Sequence, residues 1–186
     1  KQVQQLFGEI PTDPETYILA SQISQAEAVK YFIERIRIGR PDKTGIIWWN
    51  LLDGWPQMSD AVVDYYFVKK LAYGYIKRSQ APFAIIAGEP DNWNITIYAC
   101  NDTLQQKQGC YQIIDGETDH ILLSGSFTAK PNCSAHIGKL PVYFSDHKYL
   151  LIRWEINGET GSNHHVCGYP PLDLPAYKAF IEKYGL

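Results

Sequence analysis

Residues 45–56 read Gly45-Ile46-Ile47-Trp48-Trp49-Asn50-Leu51-Leu52-Asp53-Gly54-Trp55-Pro56, and the fold turns on how this stretch is taken. Gly45 to Trp49 runs without polar alternation. Such a run predicts a short strand buried on both faces, as in a parallel sheet. A polar loop follows, from Asn50 to Ser59. Upstream, Thr12-Asp13-Pro14-Glu15 is a helix start, with a capping side chain, a proline in the first turn and an acid near the positive end. Leu19, Ile23, Ala26, Val29, Ile33 and Ile36 then recur at steps of three and four, one apolar stripe, until Gly39 and Pro41 stop the helix. Downstream, Asp60 to Arg78 predicts a second helix, with Ser59 as its cap and Val63, Phe67, Leu71, Ala72, Tyr75 and Ile76 apolar. Helix, buried strand, loop and helix make a piece of an α/β architecture.

After Pro82 the pattern changes to period two. Trp93 to Ala99 alternates, and residues 111–114, 121–127, 134–140 and 149–156 predict further strands. Asp115-Gly116 and Asn157-Gly158 are hairpin-turn pairs. Short strands at this spacing predict an Ig-like antiparallel β-sandwich of about 90 residues. Pro170 to Pro175 then runs over the surface, and Ala176 to Tyr184 predicts a short terminal helix. The expected class is α+β: a helical, α/β part in residues 1–80 and a sandwich with its terminal helix in 81–186.

Composition narrows the function. The 186 residues are 45% hydrophobic and 20% charged, as in ordinary globular chains rather than disordered ones. With 17 basic and 20 acidic side chains the net charge is −3, whereas a nucleic-acid partner normally leaves a basic excess. No apolar run approaches the roughly 20 residues of a membrane-spanning helix. Cys100, Cys110, Cys133 and Cys167 are widely spaced and contain no CxxC, so a zinc site is not expected and buried free thiols are the default, a disulfide the alternative. No cofactor is expected. The chain opens at Lys1 and its one methionine is Met58, which suggests a piece of something longer. Its location is left open, with a secreted or periplasmic parent favoured over a cytoplasmic one.

The chemistry concentrates at the double tryptophan. In parallel α/β folds, ligands bind at the carboxyl ends of strands and on the loops that follow. That end supplies Trp48 and Trp49, then Asn50, Asp53 and Trp55. Indole faces cover the C–H face of a pyranose while polar groups take its hydroxyls, so these residues fit a sugar site. They also fit a core, because alternation on a strand turns one Trp inward and packs the other under a helix. His164-His165 would face opposite sides of a strand and so share no metal. His120, His136 and His147 are isolated, and Ser59 and Ser162 lack the partners of a nucleophile. Asn94, Asn101 and Asn132 begin glycosylation-type tripeptides, read as incidental.

The stretch from Gly45 to Pro56, followed by Ser59, Val63-Asp64-Tyr65-Tyr66, Lys70, Ala72-Tyr73 and Pro82, resembles the closing part of the catalytic barrel in glycoside hydrolase family two, nearest the β-mannosidase-like and exo-β-glucosaminidase-like branch. Ser21-Gln22 and Gln25-Ala26-Glu27-Ala28 are similar to the penultimate barrel helix. Asn163-His164-His165, Gly168, Pro170-Pro171, Leu172-Asp173-Leu174 and Tyr177 resemble the end of the sandwich domain behind the barrel. The resemblance implies retaining exo-glycosidase chemistry, with two barrel glutamates about 5–5.5 Å apart. It places the substrate-binding residues at Trp48, Trp49, Asp53 and Trp55, with Trp49 helping to floor the pocket. Leu52 departs from the polar residue many relatives carry, which bears on which sugar is read. Glu9, in Phe7-Gly8-Glu9-Ile10, lacks the surroundings of the family's nucleophile and reads as a solvated loop carboxylate.

A complete (β/α)8 barrel needs about 200–250 residues. The part before the sandwich is far shorter, so no catalytic residue is assigned and the chain alone is expected to be inactive. Its partner is then a carbohydrate, met through the full-length parent, and the truncated barrel half is expected to support a dimer. The competing reading is a non-catalytic carbohydrate-binding or structural sandwich module, which calls for a row of exposed aromatics on one sheet face.

Overall fold

The computed structural model describes residues 1–143 and 146–186. Four helices and seven strands follow in the order α1 (Gln2–Phe7), α2 (Pro14–Ile38), α3 (Leu71–Ser79), β1 (Phe83–Asp91), β2 (Asn94–Asn101), β3 (Lys107–Asp115), β4 (Ile121–Ala129), β5 (Cys133–Pro141), β6 (Lys148–Ile156), β7 (Glu159–Cys167) and α4 (Leu174–Tyr184). The class is α+β. Two compact units emerge: one from Lys1–Ile33, Gly45–Ser79 and Pro170–Leu186, the other from Glu34–Thr44 and Gln80–Tyr169. The terminal helix, read from sequence with the sandwich, is thus part of the first unit. None of the described helices is long and apolar enough to cross a membrane.

In the first unit α2 starts where the sequence reading puts it. Asp13 accepts from the Thr16 amide at 2.9 Å and the Thr16 hydroxyl at 2.7 Å, which caps the helix. These bonds, the backbone one foremost, hold the Asp13 carboxyl below its ordinary range. Ile23, Ala26 and Ile33 of the apolar stripe are buried, while Leu19, Val29 and Ile36 are half-buried. The terminal helix α4 carries the Asp173 cap, which accepts from Ala176 N at 2.8 Å. Its Tyr177 hydroxyl donates to Glu27 of α2 and, at 2.8 Å, accepts from the Tyr75 hydroxyl of α3. Both phenols are fully buried, and burial foremost, then the Glu27 carboxylate, pushes both above the ordinary phenol range.

Two sequence expectations fail in this unit. Residues 45–49 form no strand, and Ile47 is 97% and Trp49 82% exposed. A strand buried on both faces needs neighbours to complete its hydrogen bonds, and among the described residues none pairs with it. The second helix covers Leu71–Ser79 rather than 60–78. Over 60–70 the backbone is committed elsewhere. Asp64 Oδ1 accepts from Tyr66 N at 2.9 Å and Val68 N at 2.8 Å, and Phe67 adopts a positive φ of 66°. Side-chain capture of this kind competes with helix formation.

The second unit is the antiparallel Ig-like sandwich, with sheets ordered β1-β2-β5 and β4-β3-β6-β7. In the constant-type Ig arrangement the fourth strand joins the first sheet; here β4 pairs with β3 instead. Between the sheets lie Ile85, Ile95, Ile97, Tyr111, Ile113, Phe127, Leu150 and Ile152. On the other face of β1 and β2, Ala84, Ile86 and Cys100 pack with Ile38 of the last turn of α2. That turn is anchored by polar contacts. Arg37 donates to the Cys100 carbonyl at 3.2 Å and pairs with Asp102 at 3.2 Å, while Glu34 accepts from Asn163 of β7 at 2.7 Å.

The four cysteines are free thiols, Cys100 and Cys167 buried, Cys133 half-buried and Cys110 exposed. Burial pushes the Cys100 thiol up to about 11. Cys110 corrects the expectation of buried thiols. It sits on the solvated face of β3, opposite Ser126 and Glu155.

Candidate functional site

The loop after the double tryptophan is closed on itself by backbone bonds. Val62 N donates to Asn50 O at 3.2 Å, Val63 N to Leu51 O at 2.9 Å and Asp53 N to Val63 O at 3.1 Å. Lys70 N then donates to Val62 O at 2.9 Å. The Trp49–Asn50 peptide at its entrance is cis.

Inside this loop Asp53 is almost fully buried, with 3% exposure. Its Oδ1 accepts from the Ser59 hydroxyl and from Gln57 Nε2 at 3.1 Å, and its Oδ2 meets Lys70 Nζ at 3.3 Å. Lys70 also donates to Ser59 O at 3.2 Å, and Ser59 Oγ accepts from Ala61 N at 3.0 Å. The Ser59 hydroxyl foremost, with Gln57 and Lys70, holds the Asp53 carboxyl below the usual carboxylate range against the opposing effect of burial. With both oxygens engaged and its carboxyl held low, Asp53 braces the loop from within.

The network ends on an indole. Trp55 Nε1 donates to Gln57 Oε1 at 2.5 Å, so a chain of bonds runs from Trp55 through Gln57 to Asp53. Trp55 is 65% exposed and Trp49 82%. Trp48 is half-buried and lines an apolar groove of about 270 Å³ with Val29, Phe32, Ile33, Ile46 and Ile47. The structure therefore brings Asp53 and Trp55 into one network and leaves two indoles presented to solvent. Gln57, Ser59 and Lys70 are the members that sequence reading missed as site residues. Their signal was a cluster of polar side chains at short spacing around a lone acid, but Ser59 read as a helix cap. Glu9 is exposed between α1 and α2, and His120, His136 and His147 are exposed.

No family model matches the sequence. The chain is 37% identical to β-mannosidase B of Aspergillus niger over 89 residues, 46% of this chain and 10% of that protein. It is 35% identical to β-mannosidase B of Aspergillus terreus over 89 residues, 46% of this chain and 11% of that one. Among solved structures, the β-D-mannosidase of Dictyoglomus thermophilum superposes with a TM-score of 0.75 at 24% identity, covering 88% of this chain and 21% of that one. The chain resembles the C-terminal part of glycoside hydrolase family two. The exo-chitosanase of Amycolatopsis orientalis shares the fold, with a TM-score of 0.69 at 16% identity over 89% of this chain and 21% of that one. The chain spans about a tenth of the length of the curated family-two relatives it matches.

Proposed function

We propose that this chain is the C-terminal part of a retaining exo-β-glycosidase of the β-mannosidase type, hydrolysing O-glycosyl bonds, and that it supplies part of the sugar pocket but not the catalytic carboxylates. The reading is carried by one juxtaposition. In a chain similar to β-mannosidase B, Trp49 and Trp55 are exposed on a loop locked around the buried Asp53. In this reading Trp49 floors the pocket, Trp48 backs it from the apolar groove, and Trp55 offers its ring to the sugar. Asp53 acts on substrate through Gln57 and Trp55, as a positioning residue.

Retaining hydrolysis requires two carboxyl groups about 5–5.5 Å apart. Asp53 is tied up in its network, and Glu9 lies in an exposed loop. Assay of the chain and of its full-length parent on aryl β-mannoside, β-galactoside and β-glucosaminide is the test. Turnover by the parent and none by the chain is the expected result; turnover by the chain would overturn the reading.

The described residues of the sandwich lack the sheet-face aromatic row that a purely sugar-binding module calls for. Tyr111, Phe127 and Tyr149 are buried, and none of the described residues forms an exposed aromatic row across a sheet face. The sandwich's exposed aromatics Trp93, Tyr143 and Tyr169 lie outside the strands, while the first unit exposes Phe32, Ile47, Trp49, Phe67 and Val68 among others. A face of this kind suits the remaining barrel of a parent and, in the isolated chain, a second copy of itself.

A further inference from the structure

The sandwich contains the same hairpin turn twice, once in an ordinary form and once in an odd one. Between β6 and β7, Asn157 and Gly158 take φ values of 53° and 83°. This is the left-handed pair of a two-residue hairpin, for which Asn-Gly is the preferred sequence. Between β1 and β2, Asn92 and Trp93 take φ values of 47° and 63°. A tryptophan therefore stands where the sister turn has glycine. A bulky side chain at positive φ costs stability that glycine would not, and residues held this way cluster at functional positions. The ring remains 58% exposed.

A second exposed aromatic stands at the same end. Val142 N donates to Trp93 O at 3.0 Å, which continues the β2–β5 pairing by one step and sets Tyr143, 70% exposed, at the next position. Polar side chains flank both aromatics along the chain. Asn92 Nδ2 donates to Asp91 Oδ1 at 3.1 Å, Asn94 Nδ2 to Asn92 O at 2.8 Å, and Asp146 Oδ2 accepts from Tyr143 N at 3.0 Å. The core of a protein–protein interface is depleted of charged residues. Ring faces set among carboxylates and carboxamides fit a ligand with both C–H faces and hydroxyls.

We propose that this end of the sandwich, with Trp93 as its platform and Tyr143 beside it, is a carbohydrate-binding site separate from the Trp49 loop. The Trp93 face lies on the C–H face of a pyranose, and the Asn92 and Asp91 side chains take its hydroxyls. The site stands on the sandwich alone and does not rest on the catalytic reading above.

The test titrates the full chain with manno-, cello- and chito-tetraose by calorimetry and measures Tm for the wild type, Trp93→Gly, Trp49→Ala and Leu104→Ala. At least one tetraose should bind the wild type. Trp93→Gly should weaken that binding about tenfold, the share of one ring contact, while raising Tm by about 2–4 °C as the turn gains its preferred residue. Leu104→Ala, at an 85% exposed side chain beyond the other end of β2, should leave this binding intact. The proposal is overturned if no tetraose binds, if Trp93→Gly binds as the wild type does, or if Trp93→Gly lowers Tm, which would make the ring a packing element. Loss of binding in Trp49→Ala with Trp93→Gly unaffected would overturn it too, and would instead support sugar binding at the barrel loop.

Discussion

Asp53 shows how a single residue changes meaning between sequence and structure. As an acid beside two tryptophans it reads as a sugar ligand; folded, its oxygens are spent on Ser59, Gln57 and Lys70. Its pKa is near 3.8 in the unfolded chain and lower in the folded one. Its contribution to stability is therefore complete above about pH 4 and is lost as pH falls through the lower, folded value. Ser59→Ala removes the bond that depresses it most. The variant's Asp53 should titrate closer to 3.8, so its contribution to stability should be smaller and its loss complete at a higher pH than in the wild type. Carboxyl-carbon NMR titration of wild type and variant measures the shift directly, and an unchanged titration would mean that Ser59 does not hold the carboxylate. Asn101 carries the same lesson. It begins a glycosylation-type tripeptide, yet it is fully buried and donates to Gln105 O and Lys130 O at 2.8 and 3.0 Å. Burial of its amide makes the tripeptide structural.

At the scale of elements, what was legible followed from local chemistry. Strands β2 to β6 declared themselves by alternation, and α2 by its cap and stripe. The strand β7, Glu159–Cys167, was missed because Thr160, Ser162, Asn163 and His164 carry no apolar alternation, although Asn163 and His164 are buried. The strand β1 was missed because Ala84 to Ala87 is buried on both faces and so alternates nothing. The run 45–49 was over-read for the converse reason: apolar composition announces a wish for neighbours, not their presence. The Asn157-Gly158 turn was read correctly and yields a clean prediction. A Cβ on Gly158 meets nothing within 4 Å, so Gly158→Ala adds strain without a clash. It should cost about 1 kcal/mol through backbone conformation alone, measured as a lower urea midpoint with an unchanged slope.

For the whole molecule, the exposed apolar side chains of the first unit make a prediction about behaviour in solution. Ile47 at 97%, Trp49 at 82% and Phe67 at 76% exposure are large side chains left in water. Large apolar side chains left exposed favour association. The isolated chain should show a concentration-dependent rise in mass by light scattering, and Ile47→Lys with Phe67→Lys should return it toward the monomer. A monomer at all concentrations would show that this surface is tolerated in water. The site was only partly legible because half of its meaning lies in what surrounds Trp48 and Trp49, which no spacing rule encodes.

The first unit joins residues from opposite ends of the chain. Leu172 N donates to Leu6 O at 2.7 Å, and the Tyr75–Tyr177 bond spans a separation of 102 residues. The sandwich strands, by contrast, pair largely with sequence neighbours such as β1–β2, β3–β4 and β6–β7. During synthesis the hairpins can therefore form as they leave the ribosome, while α2 and α3 wait for residues 170–184 before their clasp exists. A chain ending before Pro170 should keep the amide protection of the β-strands and lose that of α3. Loss of protection throughout would mean that the late-arriving helix governs the entire fold.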